Sequence, residues 1–223
     1  FNSTGPVVGL AQTGPVSVDG ISMSGTTGAM SITGGALNVA SSLNLAGLTQ
    51  TGGVLGGAGD VTVATFNQSG GSVANSGNFD VTSNFTQTGT SGTIAVGGGV
   101  GIMQAVGSVV LGNISAGGTL GVTAPGAITQ TGSTTLVATG VATLASTTAD
   151  ITLANATNNF GTVNATGVNV SLKDTDGLTA VLNATGSSTL VAGGNLAVSG
   201  TSVGLTTTTT GTGTTSFGIT TLT

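Results

Sequence analysis

A short motif, apolar-x-Gln-x-Gly, recurs along this 223-residue chain and restricts its fold more than any other feature. The copies are Leu10-Ala11-Gln12-Thr13-Gly14, Leu48-Thr49-Gln50-Thr51-Gly52, Phe66-Asn67-Gln68-Ser69-Gly70, Phe85-Thr86-Gln87-Thr88-Gly89 and Ile128-Thr129-Gln130-Thr131-Gly132. A degenerate copy, Ile102-Met103-Gln104-Ala105-Val106, lacks the glycine. The Gln-to-Gln steps along the chain are 38, 18, 19, 17 and 26, and Met30-Ser31-Ile32-Thr33-Gly34 falls near the middle of the first. A second series, Asp60-Val61-Thr62-Val63 and Asp80-Val81-Thr82-Ser83, repeats after 20. A period of roughly 19 residues is too short for a propeller blade or a helical repeat. It fits one turn of a β-solenoid carrying two or three short strands.

The local sequence agrees. Gly, Thr, Ser, Val and Asn, all poor helix formers, fill nearly every window. Alternating runs such as Leu37-Asn38-Val39, Val61-Thr62-Val63, Ile151-Thr152-Leu153 and Val168-Asn169-Val170 are bounded by Gly, Asn or Asp. Successive side chains of a strand point to opposite faces, so each run has one apolar and one hydroxyl or amide face. Low complexity also characterises disordered chains, but those are poor in Val, Ile and Leu. This chain is 38% hydrophobic and its apolar residues alternate in register.

The expected fold is therefore all-β, a parallel β-helix (β-solenoid) with rungs of roughly 19 residues. One rung cannot cover its own apolar residues, whereas stacked rungs share a continuous core. Residues 1–223 read as a single segment, with regular rungs over 1–132 and looser rungs with loops over 133–223. Twelve rungs at the strand spacing make a rod of roughly 55 Å. Gln50, Gln68, Gln87 and Gln130 hold equivalent places, so their amides are expected to form a structural ladder along the axis. The most apolar stretch, residues 96–114, is interrupted by six glycines and Gln104 and reads as strands, not as a membrane span.

Composition narrows the chemistry. Charged residues are 3% of the chain, against about 25% in an ordinary soluble domain. Lys173 is the one basic residue, and the acids are six aspartates, so a phosphate backbone has nothing to pair with. Neither nucleic acid nor membrane insertion is expected. With no Cys there is no disulfide framework. With no His, Cys, Tyr, Glu or Arg, a hydroxyl nucleophile lacks a base other than Asp or Lys173. No catalytic, cofactor-binding or metal-binding residue is assigned, and no enzyme activity is expected. Asp174 and Asp176 flank Thr175 and could share one face, but Asp-Thr-Asp-Gly is strong turn chemistry. Gly56-Gly57-Ala58-Gly59-Asp60 approaches a calcium-binding nonapeptide, is one residue short and occurs once, so it reads as a turn. Asn-x-Ser/Thr occurs at eight positions, only mildly above chance, and those asparagines read as turn and ladder residues. Outward threonines such as Thr49/Thr51, Thr86/Thr88 and Thr129/Thr131 raise the alternative of a face that binds ice or glycan.

The rungs, and above all Asp150-Ile151-Thr152-Leu153-Ala154-Asn155-Ala156-Thr157-Asn158-Asn159-Phe160-Gly161-Thr162-Val163 followed by Val168-Asn169-Val170-Ser171-Leu172, resemble the strand repeats of filamentous haemagglutinin-like exoproteins. The resemblance is clearest over about residues 115–205. It implies a right-handed β-helix, secretion to the bacterial cell surface by a two-partner route, and a role as an adhesin shaft. No functional residue of that family maps onto a position here. The expected function is a structural shaft of an extracellular adhesin or filament supporting adhesion or biofilm matrix. Its partners would be copies of itself, head to tail or side by side, and host or cell-surface glycans. Neither end shows a charged or amphipathic cap, so the ends are expected to continue into more chain or to dock onto another copy. The start at Phe1, with no charged segment before an apolar run, reads as a mature form or a fragment.

Overall fold

The computed structural model describes residues 28–222, with the backbone of 7–10, 15–18 and 21–22 before them; the side chains of those three strands and of residues 219 and 220 are outside the described set. Among the described residues the regular structure is entirely strand, and neighbouring strands pair in parallel, each with its counterpart one turn later.

Three faces close each turn in the first part of the stack. The first face runs through Ala29–Ile32, residues 47–50, 65–68 and 84–87, then Val109–Leu111, Ile128–Gln130, Ile151–Leu153, Val170–Asp174, Ser187–Ala192 and Gly204–Thr209. The second runs from Pro15–Val18 through Ala36–Val39, Val54–Gly57, Ser72–Asn75, Thr93–Val96 and Asn113–Ala116 to residues 136–138 and 159–160. The third passes through eleven levels: Ile21–Ser22, residues 42–45, 60–63 and 79–81, Val100–Met103, Leu120–Ala124, residues 141–146 and 162–167, Leu178–Ala184, Leu196–Ser202 and Thr215–Leu222. Among the described residues, eleven levels at the strand spacing give a stack roughly 50 Å long.

Rung length is less uniform than the sequence period. Ile21 pairs with Leu43 and Ile128 with Ile151, sequence steps of 22 and 23. The intervals Leu48 to Phe66 and Phe66 to Phe85 are 18 and 19. The expected loosening after residue 133 does not run to the end. From Ile151 the first face advances to Val170, Ser188 and Leu205, in steps of 19, 18 and 17. In these late turns the second face ends at 159–160, and the chain then closes with two longer strands per turn. Residues 96–114, the apolar stretch with glycines, form parts of four strands, and no described helix is long and apolar enough to cross a membrane.

Alternation supplies the core. Along Leu178–Ala184 every other residue is buried and those between are exposed. On the second face Leu37, Leu55, Val73, Ile94, Ile114 and Leu136 stack as one buried column. On the first face Met30, Leu48, Phe66 and Phe85 do the same. Burying each such side chain stabilises by about 1.5–3 kcal/mol.

The glycine that directly follows the motif in two copies has a stacking reason. Gly53 and Gly71 close equivalent turns between the first and second faces with φ of 68° and 74°. A Cβ on Gly53 would come within 2.7 Å of the Gly34 carbonyl carbon, and one on Gly71 within 2.5 Å of the Gly52 oxygen. The left-handed backbone and the close approach of consecutive turns both demand glycine. In the Gln130 copy the same turn position carries Ser133 at φ 64°, a conformation costing a non-glycine residue roughly 1–2 kcal/mol.

Candidate functional site: buried amide ladder and corner aspartates

Gln50, Gln68 and Gln87 occupy registered positions on the first face, pointing inward beside the glycine turn. Gln68 Nε2 donates to Gln50 Oε1 at 3.1 Å, and Gln87 Nε2 donates to Gln68 Oε1 at 2.8 Å. The remaining amide hydrogens reach backbone: Gln50 Nε2 to Ser72 O at 2.9 Å, Gln68 Nε2 to Thr93 O at 3.1 Å, and Gln87 Nε2 to Gly92 O at 3.1 Å. Gly112 N donates to Gln87 Oε1 at 2.8 Å and ends the run. A buried amide without partners is costly, so this chain of donors and acceptors holds the three rungs in register.

Gln130 is not part of that run. It pairs in register with Leu111, which offers no amide. Its side chain turns to Asn158 instead: Gln130 Nε2 donates to Asn158 Oδ1 at 2.7 Å and Asn158 Nδ2 donates back to Gln130 Oε1 at 2.9 Å. Asn158, fully buried, also accepts from Leu136 N at 3.0 Å. Gln104 belongs to a different corner. It follows Val100–Met103 on the third face, and its Oε1 accepts from Phe85 N at 2.8 Å. The steps of 17 and 26 around Gln104 and Gln130 depart from the 18 and 19 of the stacked glutamines. The reason is an inserted corner, residues 104–108, which displaces the next first-face strand to Val109–Leu111.

A second polar system, which motif reading missed, lines the outer corners. Asp60 Oδ1 accepts from Asn78 N at 2.7 Å, and Asn78 Oδ1 accepts from Gly99 N at 2.8 Å one turn later. Asp150 Oδ1 accepts from Asn169 N at 3.0 Å, and Asn169 Oδ1 accepts from Ser187 N at 2.8 Å. Each Asx residue thus ties one turn to the next by catching a backbone N–H that has no strand partner. Asp60, in the glycine-rich segment resembling a calcium loop, is used in this way. Asn75 is the exception. Its Nδ2 donates to Gly59 O at 3.1 Å and Asn78 O at 3.0 Å, but its buried Oδ1 has no partner. The strand above continues the register from Ile94 over Val73 to Val96, a hydrocarbon where an amide would complete the link.

The Asp174–Asp176 pair is split between inside and outside. Asp174, 2% exposed, accepts from Phe160 N at 2.6 Å and from Asp176 N at 3.0 Å, whereas Asp176 is exposed. This is an Asx-type turn. Burial, and secondarily Asp176, push the Asp174 carboxyl up to about 6. Between pH 4 and 6 the folded chain then binds more protons here than the unfolded chain, so the contribution of Asp174 to stability falls as pH rises through that window. The expected loss is about 1–3 kcal/mol from pH 4 to pH 7. Thermal melts of the Asp174→Asn variant should lack this component of the slope; an unchanged slope would disprove the assignment.

Among the described residues no group of three or more His, Cys, Asp or Glu could hold a metal ion. Two shallow features lie on the outward surface of the described residues. One is a groove of ≈ 390 Å³ on the third face, lined by Thr62, Asp80, Gly101, Met103, Gly121 and Thr123 among others. The other, of ≈ 190 Å³, lies on the second face between Thr93, Asn113 and Val137. On the first face Ser31, Thr49, Asn67 and Thr86 form one outward column, and Val110, Thr129, Thr152, Ser171, Thr189 and Thr206 another.

A family model described as repeats of unknown function (DUF5649) matches residues 97–166, a span containing third-face strands from four consecutive turns. No curated protein and no solved structure matches the chain. The stacked parallel strands and the repeat match together describe a β-solenoid repeat protein.

Proposed function

We propose that this solenoid is a structural shaft: a rod segment of a bacterial extracellular adhesin or filament, continuing a longer β-helix or associating end to end with copies of itself. The observation that carries the reading is one apolar cluster that runs through the stack from Met30 to Val198, with Leu205 of the last turn packed against it. A rod with a close-packed core and rung-to-rung amide bonds resists bending, which is the property a shaft needs. Phe217 and Leu222 on the last turn are 58% and 60% exposed, and a further turn stacked there, from this chain or another, would cover them. The likeness to filamentous haemagglutinin-like repeats supports the same reading, with placement at the bacterial cell surface, participation in adhesion or biofilm matrix, and no catalytic step. Electron microscopy of the native protein should show rods or fibres with a uniform narrow width; compact, equiaxed particles would refute the proposal.

The hydroxyl columns of the first face favour a second reading, a solenoid that binds glycan or ice. Absence of binding in both a glycan array and an ice-recrystallisation assay would end it.

A further inference from the structure

We propose that the notch on the third face between Asp80 and Gly121 is a docking site for a cationic side chain, lysine or arginine, of a partner protein. Thr62, Asp80, Gly101, Gly121 and Thr143 form one outward column on consecutive turns. Two adjacent members are glycines inside strands, where the lack of a side chain costs roughly 0.5–1 kcal/mol. Gly121 is not required by the fold. Neither glycine has a positive φ; a Cβ on Gly121 would find only Val100 O, at 4.0 Å, whereas one on Gly101 would displace the Asp80 carboxylate, which rests over that glycine. That contrasts with Gly53 and Gly71, whose turns admit nothing else. Bared backbone in a strand that tolerates a side chain is what close approach by a ligand needs.

The walls define the occupant. Asp80 is half-buried, and no donor among the described residues is bonded to its carboxylate. Desolvation, with the nearby Asp60 carboxylate, holds its pKa above the ordinary aspartate value. The positive charge of an incoming cation offsets both by favouring the charged carboxylate. Met103, 53% exposed, forms an adaptable apolar wall beside Thr123. Two strand spacings, roughly 10 Å, accommodate the four-carbon stem of lysine lying on the glycine floor with its ammonium at Asp80. Lys173 is the single basic residue of the sequence and lies on the first face, in Val170–Asp174, away from the third-face notch of its own chain; the cation is assigned to a different protein, and the Lys173→Gln variant tests a second copy as its source. This inference does not depend on the shaft reading.

The test is an NMR amide-shift titration of the intact protein with acetyl-Gly-Lys-Gly-amide, its arginine counterpart, a norleucine counterpart and methyl glucoside. The lysine and arginine peptides should give saturable, millimolar-range shifts confined to residues 80–82, 101–103 and 121–123. Gly121→Val, which fills the floor without a clash and suits a strand, should weaken binding at least about fivefold, as should Asp80→Asn. Each variant's own spectrum reports its folding. Equal binding of the norleucine peptide or methyl glucoside, unchanged affinity in folded Gly121→Val, absence of saturable shifts, or self-association abolished by Lys173→Gln would each overturn the assignment.

Discussion

Gln68→Ala is expected to destabilise the middle of the stack by about 3–5 kcal/mol, because one truncation strands several buried groups at once. Gln68 is 1% exposed and is the central member of the amide run. Removing it leaves Gln50 Oε1 without its donor and deprives Gln87 Nε2 of one acceptor and Thr93 O of its side-chain donor. Each buried polar group left unmatched costs about 1–3 kcal/mol, and the vacated volume adds to that. Gln130→Ala should cost less, about 1–2 kcal/mol, since Gln130 is only half-buried and its partners, Asn158 and Thr134 O, each keep another hydrogen bond. Because stability in a solenoid is roughly a sum over turns and their interfaces, a global melt can blur the effect. Hydrogen exchange resolves it: protection should fall around residues 50, 68 and 87 and persist in the late two-faced turns. Equal loss of protection everywhere, or an effect no larger than that of Gln130→Ala, would refute the ladder's role.

Phe66→Ala should be of comparable size, about 3–5 kcal/mol, by a different mechanism. Phe66 is fully buried and touches aromatic rings from two sites. Its centroid lies 4.9 Å from that of Phe79 in an edge-to-face arrangement and 5.8 Å from that of Phe85. The surroundings cannot collapse into the gap easily, since the strands above and below are fixed by ladder bonds in register at Leu48, Phe66 and Phe85. Phe66→Leu, which keeps most of the volume, should recover more than half of the loss. Urea titrations followed at the first transition measure both. A Phe66→Ala cost below about 1 kcal/mol would mean that the aromatic column contributes little to stacking.

Much of the fold was legible because two of its determinants are local. Alternation in runs such as Leu37-Asn38-Val39 and Val61-Thr62-Val63 follows from the two-residue period of any strand, and the structure buries Leu37, Val39, Val61 and Val63. The apolar-x-Gln-x-Gly repeat was equally readable and located the inward amides of Gln50, Gln68 and Gln87, whereas the left-handed turn at Gly53 and Gly71 lies one residue beyond it. The corner system of Asp60, Asn78, Asp150 and Asn169 was not, because scattered Asx residues have no common spacing until turns of unequal length are stacked.

The sequence by itself determined that the chain is all-β, repeats at roughly one rung per nineteen residues, and sorts hydrocarbon inward from hydroxyl and amide outward. Only the tertiary structure decided which repeats coincide. It placed Gln50, Gln68 and Gln87 in one run and sent Gln130 to Asn158. It reduced the late turns to two faces and set Gly101 beside Gly121 above Asp80. The reason is that register between turns depends on the residues spent at each corner, such as the insertion at 104–108, and corner length acts only when the next turn closes against the one below it.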